Sequence, residues 1–160
     1  MPSMFPSFSA HPDDRNRRYD EPEVGDDWPR SLQIGFWLIV AGAIMMVLTA
    51  MLMVAAGFPG DPADTELRDA YMRNMWFMAI FNVIVALVMG GAASYLRKGS
   101  KNARRVVAVC IALACFFNAL AFALRVGALS MMVIVVLLAF AALFIFRPTA
   151  NAYISAQSNK

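Results

Sequence analysis

Four long apolar stretches follow one another along this chain, with short polar segments between them. They cover residues 32–57, 74–96, 106–124 and 126–146, and none of them contains Asp, Glu, Lys or Arg. Each is close to the length of about 20 apolar residues that an α-helix needs to cross a bilayer. The pattern therefore predicts an all-α fold, a bundle of four transmembrane helices.

The third and fourth stretches are separated only by Arg125. Joined, they would form a run of about 40 residues, about twice the length of one crossing. Arg125, Val126 and Gly127 supply a charge and a flexible residue, which suit a tight turn between antiparallel helices. The four helices are therefore predicted to form two helical hairpins.

The second helix is predicted to begin before its apolar stretch. Asp61 and Pro62 are typical of a helix start, because an Asp side chain caps free backbone N–H groups and Pro fits the first helical position. The charged residues that follow would keep this part of the helix in water, and Tyr71 and Trp76 would mark its entry into the membrane interface.

The predicted orientation rests on five basic residues between the second and third stretches. These are Arg97, Lys98, Lys101, Arg104 and Arg105. Lys and Arg in short loops are retained on the cytoplasmic side of a membrane. With both termini on that side it would carry eleven Lys and Arg residues, against three on the other side. Both termini are therefore predicted to be cytoplasmic.

The two ends of the chain are predicted to be tails. Residues 1–30 contain five prolines, seven acidic residues and four arginines. Such a segment buries too little apolar surface to offset its conformational entropy, so we expect it to be disordered unless a partner orders it. It contains no cleavable signal, so the first span would act as an uncleaved anchor. Residues 148–160 are predicted to be a short cytoplasmic tail, with Tyr153 and Ile154 at the headgroups.

Composition and charge agree with a membrane protein. Hydrophobic residues make up 60% of the 160 residues and the mean hydropathy is +0.58, too apolar for an ordinary soluble domain. The formal net charge of +3 does not indicate nucleic-acid binding, because the basic residues are concentrated at the ends of the apolar stretches. The lipid bilayer is the first expected partner.

Four polar residues inside the apolar stretches are predicted to lie in one layer. They are Thr49, Asn82, Asn118 and Ser130. At 1.5 Å per helical residue, all four would lie about 6 to 12 Å below the outer boundary. They either link the helices by hydrogen bonds or line a small pocket that opens outward. We favour interhelical hydrogen bonds, because functional sites inside membranes usually include an ionisable residue.

A stripe of small residues follows one face of the third predicted helix. Its members are Ala108, Ala112, Cys115, Ala119 and Ala123. Small side chains allow helix backbones to approach closely in lipid, so this helix is predicted to lie at the centre of the bundle. Gly90 and Gly91 would provide the matching approach from the second helix.

Several kinds of functional site are not expected, because the predicted spans lack the residues that these sites require. The only histidine, His11, lies in the N-terminal tail, which excludes a bis-histidine haem or a histidine metal site in the membrane. Cys110 and Cys115 are five residues apart and do not form a Cys-x-x-Cys motif. The spans contain no carboxylate of the kind on which small multidrug resistance exporters depend. No cofactor is therefore expected.

The fourth stretch ends with Phe146-Arg147-Pro148-Thr149, followed by Tyr153. This ending resembles that of many small, uncharacterised actinobacterial membrane proteins, which have Arg-Pro-Ser/Thr and an aromatic residue after the last helix. The resemblance implies a four-span protein of a bacterial plasma membrane with no assigned chemistry. The layout is also similar to that of small accessory subunits around actinobacterial respiratory complexes.

Three functions are compatible with these residues. We expect a non-catalytic accessory or structural subunit of a larger plasma-membrane complex, such as a respiratory one, that contacts other subunits or copies of itself. The alternative is a small oligomeric transporter or channel that uses the polar layer near the outer face. An enzyme acting on lipid or quinone is not expected, because no nucleophile is paired with a base.

Overall fold

The computed structural model describes residues 27–61, 63–126 and 128–158, and the predictions for residues 1–26 lie outside this range. The described residues form α-helices and contain no β-strand, so the prediction of an all-α fold is confirmed. A short 3₁₀ turn, Leu96–Lys98, follows the second helix. The helices are α1 (Arg30–Ala56), α2 (Thr65–Ser94), α3 (Lys101–Ala123), α4 (Ser130–Ile145) and α5 (Pro148–Gln157).

Three of these helices, α1, α2 and α3, are long and apolar enough to cross a membrane. Helix α4 has 16 residues, a length of about 24 Å against the roughly 30 Å of a bilayer core. It meets α5 at a bend of 62°, and the two together make a fourth candidate span. Helix α4 is thus shorter than the predicted stretch of residues 126–146, because it begins later.

Each of the four long helices packs against two others. Helix α1 contacts α2 and α4, and α3 contacts the same two helices from the other side. Most of the side chains between them are apolar, and Ile39 of α1, Met89 of α2, Val107 of α3 and Leu138 of α4 are fully buried. In this arrangement α1, rather than the predicted α3, has the more extensive contacts.

Helix α2 begins at Thr65, later than predicted. The Asp64 side chain is the cap, since it accepts a hydrogen bond from the Leu67 N–H at 3.1 Å. Asp61 accepts one from the Ala63 N–H at 2.9 Å, which closes a turn before the helix. Both Asp residues are therefore used as local acceptors, and only the second starts the helix.

The basic segment between α2 and α3 is mostly helical rather than a loop. Ser100 caps α3 by accepting a hydrogen bond from the Ala103 N–H at 3.3 Å, so Lys101, Arg104 and Arg105 lie within the helix. Gly99 has a φ of 70°, in the left-handed region that favours glycine. The chain reverses direction at this residue.

The turn after α3 is a Schellman motif centred on Arg125. Arg125 has a φ of 57°, and its N–H donates to the Phe122 carbonyl at 3.0 Å. The Val126 N–H donates to the Ala121 carbonyl at the same distance. These two bonds satisfy carbonyls that the end of a helix leaves free. The predicted turn is present here, with Arg125 as its left-handed residue.

Helix α5 replaces part of the predicted polar tail. Pro148 occupies its first turn, so the Arg147-Pro148 pair both follows α4 and starts α5. Ala150, Tyr153 and Ile154 share one face and are buried. The expectation that Tyr153 and Ile154 lie at the headgroups is therefore wrong, because both side chains pack against the other helices.

Candidate functional site

Asn82 of α2 and Asn118 of α3 form a reciprocal pair of hydrogen bonds. Asn118 Nδ2 donates to Asn82 Oδ1 at 2.9 Å, and Asn82 Nδ2 donates to Asn118 Oδ1 at 3.4 Å. Asn118 Nδ2 also donates to the Ala114 carbonyl at 2.9 Å, and both amide side chains are fully buried. The two amides thus satisfy each other within an apolar interior, as buried polar groups require.

The other two residues of the predicted polar layer do not join this pair. Thr49 is buried, yet its Oγ1 has no hydrogen-bond partner among the described residues. Ser130 is half-buried at the first position of α4. The structure therefore brings together only Asn82 and Asn118 from the predicted set.

The predicted stripe of small residues does not form the buried face of α3. Ala112 and Ala123 are exposed, and Ala108, Cys115 and Ala119 are only partly buried. The helix is rotated so that Asn118 faces α2, and this places a different set of residues inside. The buried set is Ala103, Val107, Cys110, Ile111, Ala114, Asn118 and Ala121.

Among the glycines that lie within the described helices, those closest to a neighbouring helix are instead on α1, where it meets α4. A Cβ added at Gly42 would lie 2.6 Å from Leu138 Cδ2, and one at Gly35 would lie 2.7 Å from Ile145 Cγ2. By contrast, a Cβ at Gly90 or Gly91 would meet nothing within 4 Å. We call Gly35, Gly42, Leu138 and Ile145 the glycine seam. Gly35 and Gly42 are seven residues apart, a spacing that places both on one helix face.

An apolar groove runs between α1 and α2 on the outside of the helices. Its volume is 490 Å³. A smaller groove of 280 Å³ continues along the same two helices beside Ile44, Leu48 and Leu87. We call the larger one the α1–α2 groove. It is lined by Ala50, Met51, Val54, Ala55, Trp76, Ala79, Ile80, Val83 and Ile84.

Charge is separated along the helix axes. Asp61, Asp64, Glu66 and Asp69 lie at one end, together with Arg68, Arg73 and Arg125, and we call it the acidic end. The opposite end, where α2 meets α3 and where α1 begins, is the basic end. Its described cations are Arg30, Arg97, Lys98, Lys101, Arg104, Arg105 and Arg147.

Helix α5 is fastened across the basic end by polar contacts to three other elements. Thr149 and Ser31 hydroxyls hydrogen-bond at 2.9 Å, which links α5 to α1. The Tyr153 hydroxyl donates to the Arg97 carbonyl at 3.1 Å. Arg104 of α3 donates to the Asn151 side chain. These contacts, with the buried apolar face of α5, hold the helix against the ends of the other helices.

Replacing Gly99 with alanine is expected to loosen α5. A Cβ here would lie 2.3 Å from Gln157 Cβ, and the residue would also be held at a φ that alanine adopts at a cost of roughly 1–2 kcal/mol. We expect faster proteolysis near residue 157 and a lower unfolding temperature in detergent. Gly57 also has a positive φ but has open space around its Cβ position, and its ψ of −151° lies in a region that is essentially restricted to glycine, so Gly57→Ala is a control with at least as much backbone strain and no contact to α5. Equal proteolysis of the two variants would contradict contact between Gly99 and α5.

Within residues 27–61, 63–126 and 128–158, no group of three or more His, Cys, Asp or Glu side chains is placed to hold a metal ion. No protein-family model, curated protein or solved structure matches this chain.

Proposed function

We propose that this chain is a non-catalytic accessory subunit of a larger membrane complex, and that it binds a transmembrane helix of another subunit in the α1–α2 groove. The observation that carries this proposal is the groove itself, an apolar concavity of 490 Å³ on the outside of otherwise well-packed helices. In lipid, helices associate through close packing, and a concavity offers a neighbouring helix more contact area than the rest of the apolar surface does.

The residues of the groove suit a helix. Ala50 and Ala79 are buried at its floor, and Ala55 lies at one side, where small side chains permit close backbone approach in lipid. Met51 and Trp76 are exposed at its walls and provide apolar surface to a neighbouring helix. The occupant proposed here is therefore apolar and helical.

The interior of the helices supports a structural role. Its buried polar side chains among the described residues are Ser31, Thr49, Asn82 and Asn118, none of which is ionisable near neutral pH. Ionisable groups inside a membrane usually mark ion or substrate pathways. The mutual pairing of Asn82 and Asn118 favours the interhelical interpretation of the polar layer over an outward-opening pocket.

The proposed subunit would lie in a bacterial plasma membrane with the basic end in the cytoplasm. This orientation follows from the excess of Lys and Arg at that end. Both termini would then be cytoplasmic, in a bundle of four crossings in which α4 makes the last one and α5 lies at the cytoplasmic end.

Filling the groove tests the proposed function. In the variant Ala55→Phe a large side chain occupies the groove from an exposed position, so the fold is retained while a neighbouring helix is excluded. We expect a tagged wild-type chain, purified in mild detergent from its own host, to bring a defined set of membrane subunits with it. The amount of these subunits that copurifies with Ala55→Phe is expected to fall at least about tenfold. A tenfold fall corresponds to a loss of about 1.4 kcal/mol in binding free energy.

The matched control is Ala139→Phe. Ala139 is an exposed alanine of α4, outside the groove. Its replacement adds the same apolar surface at a different face, and we expect copurification to remain as in the wild type. Recovery of the wild-type chain alone, or equal loss in both variants, would contradict a partner helix in the groove.

A further inference from the structure

A polar cavity of 290 Å³ lies at the basic end, between the start of α3 and the last turn of α5. Three cationic residues line it: Lys98 from the 3₁₀ turn, and Lys101 and Arg105 from the first turns of α3. Gln157 and Ser158 of the α5 end form the opposite wall and offer amide and hydroxyl groups. The cavity therefore combines positive charge with neutral hydrogen-bonding groups.

Three other cations of the basic end already have partners. The Arg97 guanidinium lies 5.6 Å from the Trp28 ring centre, and that of Arg147 lies 4.6 Å from the Phe144 ring centre. Arg104 bonds to Asn151 and also lies over a phenylalanine ring. Within the cavity, Lys98 lies 5.2 Å from the Tyr95 ring centre. Among the described residues, the side chains of Lys101 and Arg105, and that of Arg30 outside the cavity, take part in no hydrogen bond, ion pair or ring contact.

Charge in the neighbourhood favours an anion. Of the five carboxylates among the described residues, Asp27 lies at the basic end outside the cavity lining, and the other four lie at the far end of α2, which has 30 residues and a length of about 45 Å. That distance is several times the Debye length of about 8 Å at physiological ionic strength, so they do not neutralise the cavity. The start of α3 adds the positive end of a helix dipole to the three cationic side chains.

The height of the cavity is that of lipid headgroups. Arg105 immediately precedes Val106, the first residue of the third apolar stretch. Lys101 lies one helical turn further from the apolar stretch, about 6 Å along the axis. Basic pockets at this level beside transmembrane helices bind the phosphates of anionic lipids.

We propose that this cavity is a phosphate-binding site, in which Lys98, Lys101 and Arg105 hold the phosphate group and Gln157 and Ser158 bond to the neutral part of the ligand. The phosphate can be carried by an anionic phospholipid or be free in solution. The same chemistry serves both sources, and the experiment separates them.

The test compares two charge-matched triple variants of the whole chain. One is Lys98→Gln/Lys101→Gln/Arg105→Gln, which removes the charge that lines the cavity. The other is Arg30→Gln/Arg97→Gln/Arg147→Gln, which removes the same charge from the same end but outside the cavity. Binding of phosphatidylglycerol, of phosphatidylcholine and of inorganic phosphate to the detergent-purified proteins is measured by native mass spectrometry and by the shift of the unfolding temperature.

We expect the wild type and the second variant to bind phosphatidylglycerol in preference to phosphatidylcholine. The cavity variant is expected to lose between about tenfold and about a hundredfold in affinity for phosphatidylglycerol, because it lacks three cations and each Lys or Arg near an anionic lipid surface contributes up to about a fivefold factor. If inorganic phosphate instead raises the unfolding temperature of the wild type and of the second variant but not that of the cavity variant, that result would support the proposed site with free phosphate as its ligand. Equal binding by both variants, or no binding of either ligand to the wild type, would overturn the proposal.

Discussion

Replacing Gly35 and Gly42 together with leucine is expected to separate α1 from α4 and to lower the free energy of unfolding by about 4 kcal/mol. A single added Cβ already comes within 2.7 Å of Ile145 and 2.6 Å of Leu138, and leucine adds three further carbon atoms at each site. Overpacking of this kind costs about 3 kcal/mol per site at the upper end, against about 1 kcal/mol that leucine regains in helix propensity. Unfolding of the detergent-solubilised protein measures the difference.

The matched control is the double variant Gly90→Leu/Gly91→Leu. It makes the same change on α2, where added Cβ atoms meet nothing within 4 Å. Its stability is expected to stay the same or rise by up to about 2 kcal/mol, from helix propensity alone. If instead this pair is the destabilising one, the close approach lies on α2 and the glycine seam is wrong.

A second substitution, at Leu138, tests the contact between residues 42 and 138 of the glycine seam. Leu138→Ala removes Cγ and Cδ2, the atoms that lie 3.2 and 2.6 Å from a Cβ at residue 42. In the background of Gly42→Leu it is expected to restore part of the lost stability, because the new leucine can occupy the vacated space. In the wild-type background the same change leaves a cavity and costs about 2–5 kcal/mol. Destabilisation in both backgrounds by the same amount would exclude contact between these residues.

The glycine seam also shows which feature of helix packing the sequence does not predict, namely the face that each helix turns inward. Gly35 and Gly42 have a helical spacing, but the alanine stripe of α3 and the pair Gly90-Gly91 have patterns just as suggestive of close packing. In an apolar helix every face is apolar, so periodicity does not distinguish the inward face from the outward one. The rotation of each helix about its axis is decided by packing against its neighbours. The sequence alone does not specify which residues of those neighbours it meets.

Helix boundaries were predictable to differing degrees for physical reasons. The apolar stretches located α1 and α3 closely, because uncharged runs of that length have few alternatives to a helix. At the start of α2, Asp61 and Asp64 are both suitable caps, and local composition does not choose between them. Helix α5 was missed because its ten residues contain few large apolar side chains, and its stability depends on burying Tyr153 and Ile154 beneath the basic end.

The buried amide pair was the polar contact that the sequence could predict, since asparagine is rare in apolar spans and its amide needs a hydrogen-bond partner there.

Replacing Asn118 with leucine is expected to destabilise the protein more than replacing Asn82. Without Asn118, the Asn82 amide loses both of its hydrogen bonds, whereas without Asn82 the Asn118 Nδ2 still donates to the Ala114 carbonyl. Leaving a buried polar group unpaired costs about 1–3 kcal/mol, so we expect values in the upper part of that range for Asn118→Leu and in the lower part for Asn82→Leu.

The double variant Asn82→Leu/Asn118→Leu is expected to cost less than the sum of the single ones, because it leaves no unpaired amide in the interior. The difference, measured as a double-mutant cycle on unfolding free energies, is expected to be about 0.6 to 1.7 kcal/mol, the range found for interhelical hydrogen bonds in lipid. Thr49→Val is the control. Thr49 is equally buried, but since its hydroxyl has no partner among the described residues, its loss is expected to be neutral or stabilising. Additive effects of the two asparagine changes would mean that the amides act separately, and the polar layer would then have to be explained by binding rather than by helix association.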